Sequence, residues 1–465
     1  MSTNRRKFIK QLGSTVMLTS AALTSYAAIE ENEKRILQTQ KRISPTDKIR
    51  IATIGMGIMG FNDSKAALSN PGIELVACCD LYQGRLQRAK EVFGPNIFTT
   101  NEYKEILERK DIDAVIIATS DNWHSAISTE AMKKGKAVYS EKPMVHYLSE
   151  GLDEIKVQQE TKAIFQVGSQ RISSIAFQKA KELYQAGAIG QINSIEASFN
   201  RQDALGAWQY TIPTDASTQS VWWDRFQANE KNKLPYENNR FFRWRNYREY
   251  GTGVAGDLFV HLLTGIHFIT NSKGPDKIYS IGGTYYWKDG RNVPDVMSAV
   301  LDYPATAEHP PFQVVLRVNF ISGEGGRTTT KLIGSEGVID LSGEGEGFTI
   351  RKNKLPIAPG IGGWDSFDTY PETMQKTLMD DYNKKYSAAD QQRQTIPDVT
   401  FAAPAGYNSS NEHFANFFDS VRTGKPVVED AVFGFRAAAP ALACNDSYFQ
   451  NKVINWDAEN MKLKK

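Results

Sequence analysis

The chain has 465 residues, too many for one hydrophobic core, and this predicts two or three domains because a domain usually holds about 100–200 residues. Apolar residues make up 41%, charged residues 23% and aromatic residues 11%, which argues against a disordered, collagenous or multi-span membrane protein. The 55 lysines and arginines nearly balance the 53 aspartates and glutamates, leaving a formal net charge of +2. This balance argues against nucleic acid or an anionic membrane as a partner and favours a small molecule.

Cysteine and histidine usage argues against a disulfide framework and a metal site. The three cysteines are Cys78, Cys79 and Cys444, an arrangement that provides neither a disulfide framework nor a CxxC metal knuckle. No histidine has a partner at metal-ligand spacing. We therefore predict that the protein holds no metal.

The first thirty residues have the pattern of an export signal. Twin arginines, Arg5 and Arg6, are followed by a weakly apolar stretch at residues 12–23 and a small-x-small step at residues 25–27, which is the order of regions in a signal peptide. The apolar stretch is too short and too polar for a membrane span, which needs about 20 mostly apolar residues. We predict a twin-arginine signal over residues 1–30, the twin-arginine export machinery as a partner, and a bacterial periplasmic location. The alternative is a disordered basic tail.

A polar linker at residues 31–46 leads into a domain that we predict to span residues 47–171. An apolar strand at residues 49–54 runs directly into a GxGxxG loop. In this context the first glycine permits a tight turn, the second lets the backbone approach a pyrophosphate, and the third lets the next helix pack on the strand. The sequence therefore predicts a dinucleotide cofactor bound at Gly55, Gly57, Ile58, Met59 and Gly60.

The choice between NAD and NADP is predicted from the end of the second strand. This strand, at residues 73–79, is followed by Asp80. An acidic side chain at that position bonds a ribose hydroxyl and repels a phosphate on it. The pattern favours NAD over NADP, although the nearby Arg85 could serve a phosphate.

Strand and helix patterns continue to alternate as far as residue 140, which predicts an α/β domain with a doubly wound parallel sheet. Ligands in such sheets lie at the carboxyl ends of the strands. We therefore expect the loops at residues 119–124 and 141–143 to line the nicotinamide half of the site. The cofactor-binding residues predicted there are Thr119, Asn122, His124, Glu141 and Lys142. Packing beside Trp123 is the alternative role for His124.

Taken with the later pair Asp257 and His261, the order of these motifs and the Glu141-Lys142-Pro143 element resemble the Gfo/Idh/MocA oxidoreductase family. The resemblance covers about residues 47–460. It implies a Rossmann domain followed, at residues 172–465, by an α/β domain with a large, mainly antiparallel open sheet, through which the chain would form a homo-oligomer. It also implies pyridine-nucleotide hydride transfer on sugars or cyclic polyols, with Lys142 as the active-site lysine. Where the family motif continues to another aspartate this chain has Thr264, which leaves the substrate open.

The residues themselves also indicate a catalytic group. A glycine-rich run at residues 251–256 opens an apolar helix in which Asp257 and His261, four positions apart, share one face. Oxidising a secondary alcohol requires a base for the hydroxyl proton, and histidine titrates near the operating pH, while a lysine cation favours the developing alkoxide. We predict Lys142, Asp257 and His261 as catalytic residues. The alternatives are a helix cap for Asp257 and a packed core position for His261.

The segment from residue 208 to residue 250 is unusually rich in aromatic and basic side chains. Indole rings stack on the apolar faces of sugars, and guanidinium groups bond hydroxyls or acidic substituents. We predict a carbohydrate lid, with an oligomer interface or a packing layer as the alternative. The substrate-binding residues predicted in this segment are Trp208, Trp223, Arg243 and Trp244.

Three patterns describe the rest of the second domain. Alternating strands with glycine turns from residue 278 to residue 350 predict a β meander. A polar insert at residues 354–407 holds one candidate helix, residues 372–386, and is expected to wrap a neighbour or border the site. Helices at residues 413–421 and 431–447 are predicted to close the domain.

Together these patterns predict an exported, NAD-dependent oxidoreductase that acts on a secondary alcohol of a sugar or glycoside. Because a soluble NAD pool is not expected outside the cytoplasm, the cofactor should be retained through turnover and its hydride returned to a substrate. Two other functions remain open. One is a lyase or glycosidase that oxidises a sugar transiently, eliminates a group and reduces the product. The other is a catalytically silent ligand-binding or assembly protein on the same fold.

Overall fold

The computed structural model describes residues 48–343, 345–394 and 396–464. The predicted twin-arginine signal and the linker at residues 31–46 lie outside these ranges. Within them, none of the helices combines the length and the apolar character that a bilayer crossing requires.

The first domain is built on a six-stranded parallel sheet with the order β3-β2-β1-β4-β5-β6. The order reverses between β1 and β4, where ligands of such sheets bind. Both the predicted fold class and the parallel sheet are confirmed. The strands are β1 Ile49–Ile54, β2 Ile73–Cys79, β3 Phe98–Thr100, β4 Ala114–Ile117, β5 Ala137–Glu141 and β6 Phe165–Gly168, and the helices are α1 Ile58–Leu68, α2 Gln83–Phe93, α3 Tyr103–Glu108, α4 His124–Lys133 and α5 Leu148–Thr161.

The second domain contains a ten-stranded sheet with the order β14-β13-β12-β11-β7-β10-β9-β8-β15-β16. Its pairing is antiparallel except between β7 and β10, which run parallel. The strands are β7 Ile192–Asn200, β8 Lys277–Gly283, β9 Val296–Tyr303, β10 Phe312–Asn319, β11 Arg327–Gly334, β12 Gly337–Ser342, β13 Gly347–Lys352, β14 Val399–Ala402, β15 Ile454–Asp457 and β16 Lys462–Leu463.

The predicted continuous meander is interrupted in the structure. Strands β8 to β10 form one meander and β11 to β13 another, and β7 lies between them. Local alternation reveals each strand but not its partner, because β7 pairs with strands more than one hundred residues away in sequence. The position of β7 brings its carboxyl end, at Phe199 and Asn200, to the middle of the open sheet.

Helices cover one face of this open sheet. They are α6 Ile175–Gln185, α9 Val260–Thr270 and α12 Ala431–Gln450. Alternate residues of β9, such as Met297, Ala299 and Leu301, are buried beneath them. The opposite face leaves apolar side chains exposed, including Ile281, Val300 and Val315. A homo-oligomer through the open sheet remains a prediction.

The C-terminal helix α11, Ser409–Thr423, packs on the parallel sheet of the first domain. Phe414 stacks on Tyr139 of β5 at 4.2 Å between ring centroids, and Phe417 and Phe418 join the same cluster. We expected both C-terminal helices to close the second domain. The structure divides them, because α11 covers apolar residues of the parallel sheet while α12 covers β8 of the open sheet.

The insert between β13 and β14 carries the expected helix, α10 Glu372–Lys385, and none of the residues of this helix is buried. Short helices α7 Trp223–Phe226 and α8 Asn238–Phe242 lie in the aromatic segment.

Candidate active site

The glycine loop after β1 has the geometry of a phosphate cradle. Gly55 has φ +93°, and a Cβ there would lie 2.5 Å from the Ala118 carbonyl oxygen, so a side chain is excluded. A Cβ on Gly60 would lie 1.9 Å from the Gly55 carbonyl oxygen, so this glycine lets α1 pack against the loop. On Gly57 a Cβ would meet the Arg85 guanidinium carbon at 4.0 Å, an ordinary contact distance.

The N-terminus of α1 is suited to an anion. Its cap residue, Gly57, provides no side-chain hydrogen bond, and the first turn contains no acidic residue. The N–H groups of that turn therefore remain available to a phosphate, and the helix dipole favours negative charge there. These residues fit the pyrophosphate of a dinucleotide cofactor.

A cleft of about 1020 Å³, including space open to solvent, begins at this loop and follows the carboxyl ends of the parallel strands. Its lining includes most of the predicted cofactor-binding residues. These are Gly55, Gly57, Ile58, Met59, Asp80, Thr119, His124, Glu141 and Lys142. The other two do not line the cleft. Gly60 lies beneath the loop, and the Asn122 side chain forms hydrogen bonds with Ser120 and Glu230.

Asp80 holds the loops around the adenosine end of the cleft. Its Oδ2 accepts the Met56 N–H at 2.7 Å, and its Oδ1 accepts the Tyr82 N–H at 2.8 Å. Arg85 Nη1 is 3.5 Å from Asp80 Oδ2. The acid that favours NAD and the arginine that could serve a phosphate therefore line the same part of the cleft.

The loop after β4 has a structural histidine and a turned-away asparagine. His124 is buried, its Nδ1 is 2.8 Å from the Pro143 carbonyl oxygen and its Nε2 is 3.3 Å from the Thr119 carbonyl oxygen. It therefore connects the two loops that line the cleft. Asn122 donates to Glu230 Oε1 at 2.8 Å and accepts from the Ser120 hydroxyl.

Lys142, at the end of β5, is joined to Asp257 of the second domain. Lys142 Nζ is 2.7 Å from Asp257 Oδ1 and also donates to the Asp257 carbonyl oxygen at 3.2 Å. Arg245 Nε lies 3.4 Å from the same Oδ1. Although burial favours the protonated acid, Lys142 and Arg245 lower the pKa of Asp257 well below its usual range. The carboxylate is therefore ionised at neutral pH.

The helix that bears Asp257 begins with a π-helical turn at Ala255–Phe259 and continues as α9. Asp121 anchors the preceding loop, since its Oδ2 accepts the Thr252 N–H at 2.8 Å and the Thr252 hydroxyl at 2.7 Å. Single π turns inside α-helices are frequent at functional sites. Here the widened turn presents the Asp257 carboxylate to Lys142 of the other domain.

His261 lies on α9 next to this ion pair. Its ring is 6.0 Å from the Phe199 ring, between centroids, and the side chain is partly exposed. Burial lowers the pKa of His261 well below its ordinary value, and the cations Lys142, Arg171 and Arg201 lower it further. The imidazole is therefore neutral at pH 7 and able to accept a proton.

Glu141 is a second buried acid in the cleft. Burial raises the pKa of Glu141 to about 7, against the lowering effect of Lys142 and Arg245. Its Oε1 accepts a hydrogen bond from the Gln170 amide at 3.3 Å. Lys142 is thus flanked by one fully ionised carboxylate, Asp257, and by one acid that is partly protonated near neutrality.

The aromatic segment covers the cleft, but not with all the residues that we predicted. Trp244 lines the cleft, and the Arg245 guanidinium stacks on its ring at 4.2 Å. Trp208 is buried edge-on against Phe320, and Trp223 packs in a separate aromatic cluster, so both have packing roles.

Arg243 does not line the cleft, whereas six residues of this cover that we did not predict do. Arg243 donates to the Tyr210 carbonyl oxygen at 2.8 Å and to the Gln209 side chain at 2.7 Å, so it fixes the loop instead of lining the cleft. The lining residues of this cover that sequence reasoning missed are Tyr210, Arg225, Phe226, Phe241, Phe242 and Arg245. The alternation of aromatic and basic residues was the available signal, but it did not distinguish inward from outward side chains.

Hydrogen bonds attach this cover to the first domain. The Tyr82 hydroxyl donates to Asp215 at 2.6 Å, and Arg225 pairs with Glu102 at 2.6 Å. The Trp123 indole N–H donates to the Phe226 carbonyl oxygen at 2.8 Å. The segment is therefore fastened across the carboxyl edge of the parallel sheet.

The cofactor cradle agrees with the comparison to known families. Residues 49–169 match the GFO_IDH_MocA model, described as "Oxidoreductase family, NAD-binding Rossmann fold". The match covers the first domain and agrees with the resemblance of its motifs to this family. The matched region contains the glycine loop, Asp80 and Lys142.

Curated relatives share part of this chain. A scyllo-inositol 2-dehydrogenase (NAD(+)) of Bacillus subtilis (strain 168) is 33% identical over 145 residues, which cover 31% of this chain and 42% of that protein. A "Glycosyl hydrolase family 109 protein" of Shewanella baltica (strain OS185) is 32% identical over 154 residues, which cover 30% of this chain and 34% of that protein. The chain thus matches less than half the length of these relatives.

The fold similarity extends over both domains. The myo-inositol 2-dehydrogenase of Lactobacillus plantarum superposes with a TM-score of 0.59 at 18% identity, covering 88% of this chain and 99% of that one. At this identity the similarity establishes the fold alone. The arrangement of both domains is thus shared with this neighbour.

Proposed function

We propose that the protein is an NAD-dependent oxidoreductase that transfers a hydride to and from a secondary alcohol of a sugar or glycoside. The observation that carries the proposal is the Lys142–Asp257 ion pair at the end of the dinucleotide cleft, with His261 on the next helical turn. The three side chains come from two domains, and all three are polar groups held in a mostly buried environment. Because burying charged groups costs free energy, a buried cluster of this kind indicates a functional site.

Each residue has a distinct role in this proposal. The bound nicotinamide supplies the two-electron hydride acceptor. Neutral His261 takes the hydroxyl proton, while the Lys142 ammonium stabilises the negative charge that develops on the substrate oxygen. Asp257 orients Lys142 through their ion pair. In the reverse direction His261 returns the proton as the carbonyl is reduced.

The cover supports a cofactor that is retained through turnover. Phe241, Phe242, Trp244 and Arg245 line the cleft, and the ion pair and hydrogen bonds of the segment fasten it to the first domain. A dinucleotide beneath this cover would leave only after these contacts separate. Its hydride would then return to a second substrate or to the same one.

A redox-neutral glycosidase or lyase is the second candidate. It is favoured by the similarity to the Shewanella protein, whose name is that of a glycosyl hydrolase family. In this cycle the alcohol is first oxidised, the new carbonyl acidifies the neighbouring C–H, and a base removes that proton as the glycosidic group leaves as an alcohol with a proton taken up. In the glycosidase, water then adds to the resulting double bond, whereas the lyase leaves the double bond in place. The hydride finally returns to the carbonyl carbon and a proton to its oxygen. The cofactor is unchanged at the end.

Mass spectrometry of the native protein, followed by addition of methyl glycosides, distinguishes these functions. We expect one bound NAD per chain and a nicotinamide absorbance that rises with one sugar and falls when a second is added. Release of methanol without a lasting rise would favour the glycosidase cycle. A chain that holds no dinucleotide and changes no glycoside would contradict both.

A further inference from the structure

Several cations lie close together around the proposed reaction site. Lys142 and Arg245 share the single carboxylate of Asp257, at 2.7 and 3.4 Å. A third cation, Arg201, follows β7 and contacts the same Phe199 ring as His261, with its guanidinium carbon 5.2 Å from the ring centroid. Burial lowers the pKa of His261, and the cations Lys142, Arg171 and Arg201 lower it further.

Arg201 is held in place without an acidic partner. Its guanidinium lies between the Phe199 and Phe320 rings, and Nη1 donates to the Gly206 carbonyl oxygen at 2.7 Å. The nearest acid in sequence, Asp203, accepts the Gly206 N–H instead. Across residues 48–343, 345–394 and 396–464, Arg201 makes no ion pair with a carboxylate.

The rigid, partly exposed guanidinium of Arg201 is a suitable carboxylate receptor. Arginine presents planar paired donors that match a carboxylate in two parallel hydrogen bonds, and its weak hydration lowers the cost of binding. The two aromatic rings and the hydrogen bond to Gly206 already restrict the side chain, so less side-chain entropy is lost on binding. One hydrogen bond to Gly206 leaves most of its five donors for a ligand.

Arg201 and His261 lie close enough together for one monosaccharide to contact both. Both groups contact the same ring, at 5.2 and 6.0 Å from its centroid, and their separation cannot exceed the sum of these distances. A pyranose with a carboxylate at one end and a reacting hydroxyl at the other covers such a span, including a hydrogen bond at each end. The sugar face would then rest on Phe199.

We propose that the substrate is an acidic sugar, a hexuronic acid or its glycoside, whose carboxylate binds Arg201 while its reacting hydroxyl lies between Lys142 and His261. This inference rests on the proposed hydride transfer and specifies its substrate class. The carboxylate would give Arg201 the anionic partner that it lacks among the residues the structure describes. It is a spectator in the reaction, because the two electrons and the proton leave from the alcohol carbon and its oxygen.

Matched pairs of substrates test the proposal. NAD-loaded full-length protein is mixed with methyl glucosides and galactosides of both anomers, with the corresponding methyl uronides, and with hexose 6-phosphates, and single-turnover reduction of the bound NAD is followed. We expect at least one uronide to exceed its neutral partner by 10-fold or more in apparent kcat/KM, as a charge-assisted pair in a partly buried site provides. Rising salt should narrow this ratio.

Variants assign the preference to Arg201. In Arg201→Gln the uronide should lose most of its advantage, while Arg201→Lys should restore part of it because the charge remains. The control Arg393→Gln removes an exposed arginine of the insert and should keep the wild-type ratio. Equal ratios in wild type and Arg201→Gln, or a preference for the neutral sugars or the phosphates, would overturn the proposal while leaving hydride transfer intact.

A binding measurement covers the case in which no sugar reduces the cofactor. Isothermal titration of the NAD-loaded protein with methyl uronides should give heat that Arg201→Gln abolishes. Binding without reduction would support the acidic-sugar site and contradict the proposed hydride transfer. If the protein neither bound nor reduced any uronide, the acidic-sugar site itself would be overturned.

Discussion

A single carboxylate, Asp257, connects the two halves of the candidate site. It receives Lys142 from the end of β5 and Arg245 from the aromatic cover. Removing one partner of such a buried group leaves an uncompensated charge, which costs more than the pair contributes. The three residues should therefore tolerate substitution poorly, and neutral substitution of Asp257 should affect both charge and geometry.

His261→Ala tests the proposed base. Because a placed general base contributes roughly 10²–10⁴ in rate, we expect hydride transfer to fall by that factor with NAD binding retained. Lys142→Ala should lose roughly 10²–10³ through the missing cation, and the double variant should lose less than the product because both residues act on one step. Single-turnover reduction of bound NAD measures all three. A wild-type rate in His261→Ala would place the base elsewhere.

The pH dependence of the reaction follows from the lowered pKa of His261. A base with a depressed pKa stays unprotonated until the pH falls below that value. We therefore expect the rate of hydride transfer to remain level as the pH falls through 6.5, the ordinary histidine value. Because Glu141 in the same cleft has a pKa of about 7, the profile is also measured in Glu141→Gln. A loss of half the rate near pH 6.5 in both proteins would show an unperturbed base.

Asp80→Asn tests cofactor choice. The amide oxygen can still accept one loop N–H, but the negative charge that disfavours a ribose phosphate is lost. We expect NAD affinity to fall much more than NADP affinity, by roughly 10-fold or more, because a hydrogen bond to a charged group contributes about 1.5–3 kcal/mol. Fluorescence titration with both cofactors measures the ratio. An equal loss of affinity for the two cofactors would show that Asp80 does not select between them.

At the scale of elements, helix α5 carries a buried acid unrelated to the site. Burial raises the pKa of Glu154 from 4.5 to about 8. The folded state therefore holds a proton that the unfolded state releases above pH 4.5, so the stability contributed by this group is lost as the pH rises toward 8. We expect the melting temperature of wild type to fall between pH 5 and 9.

Glu154→Gln should flatten this dependence, because the amide has no charge to bury. From pH 5 to 9, the free energy of unfolding of the variant should rise by roughly 2–4 kcal/mol relative to that of wild type. Glu160→Gln is the matched control, since Glu160 lies on the same helix but is 61% exposed. Thermal denaturation across this pH range makes the comparison. If the curves of all three proteins ran parallel, Glu154 would not be the cause of the pH dependence.

The aromatic cover is the element proposed to retain the cofactor. Phe242 packs edge-on against Tyr82 at 5.2 Å and beneath the Arg85 guanidinium at 5.6 Å. Burial of a phenylalanine side chain contributes roughly 1.5–3 kcal/mol, and such changes appear mainly in the dissociation rate. Phe242→Ala should therefore release NAD roughly 10- to 100-fold faster. Displacement kinetics with a fluorescent analogue, with Phe401→Ala on β14 as control, test this.

At the scale of the whole molecule, the two domains are interdependent. Lys142 and Asp257 meet across 115 residues of sequence, and α11 returns from the C-terminus to cover the parallel sheet. The cofactor cradle and the proposed base are therefore assembled only when both domains are folded. A chain exported with its cofactor would have to fold completely beforehand.

Export is tested by replacing both arginines of the signal. Arg5→Lys with Arg6→Lys should trap unprocessed, NAD-loaded protein in the cytoplasm, because the twin-arginine route reads that pair and carries folded cargo. Cell fractionation followed by mass spectrometry of the retained protein measures both effects. Normal export of the double variant would remove the reason for expecting preloading, and with it much of the case for a retained cofactor.

Several site residues could be predicted because their roles depend on short stretches of sequence. The positive φ of Gly55 and the close approach at Gly60 depend on neighbouring residues, and such local requirements leave a motif. Asp80 and Lys142 directly follow or end their strands, so the rule that ligands lie at the carboxyl edge places them. The helical period likewise predicted that Asp257 and His261 would act together.

Only the tertiary structure decided which side chains meet across the domains. The buried positions of Trp208 and Trp223, and the inward positions of Tyr210 and Arg245, depend on a cover that folds over a distant sheet edge. The insertion of β7 between β10 and β11 depends on pairing over more than one hundred residues. Local periodicity records which face of an element is apolar but not what that face will contact, so the sequence alone determined the cofactor motif and the folded chain determined the charges around the substrate.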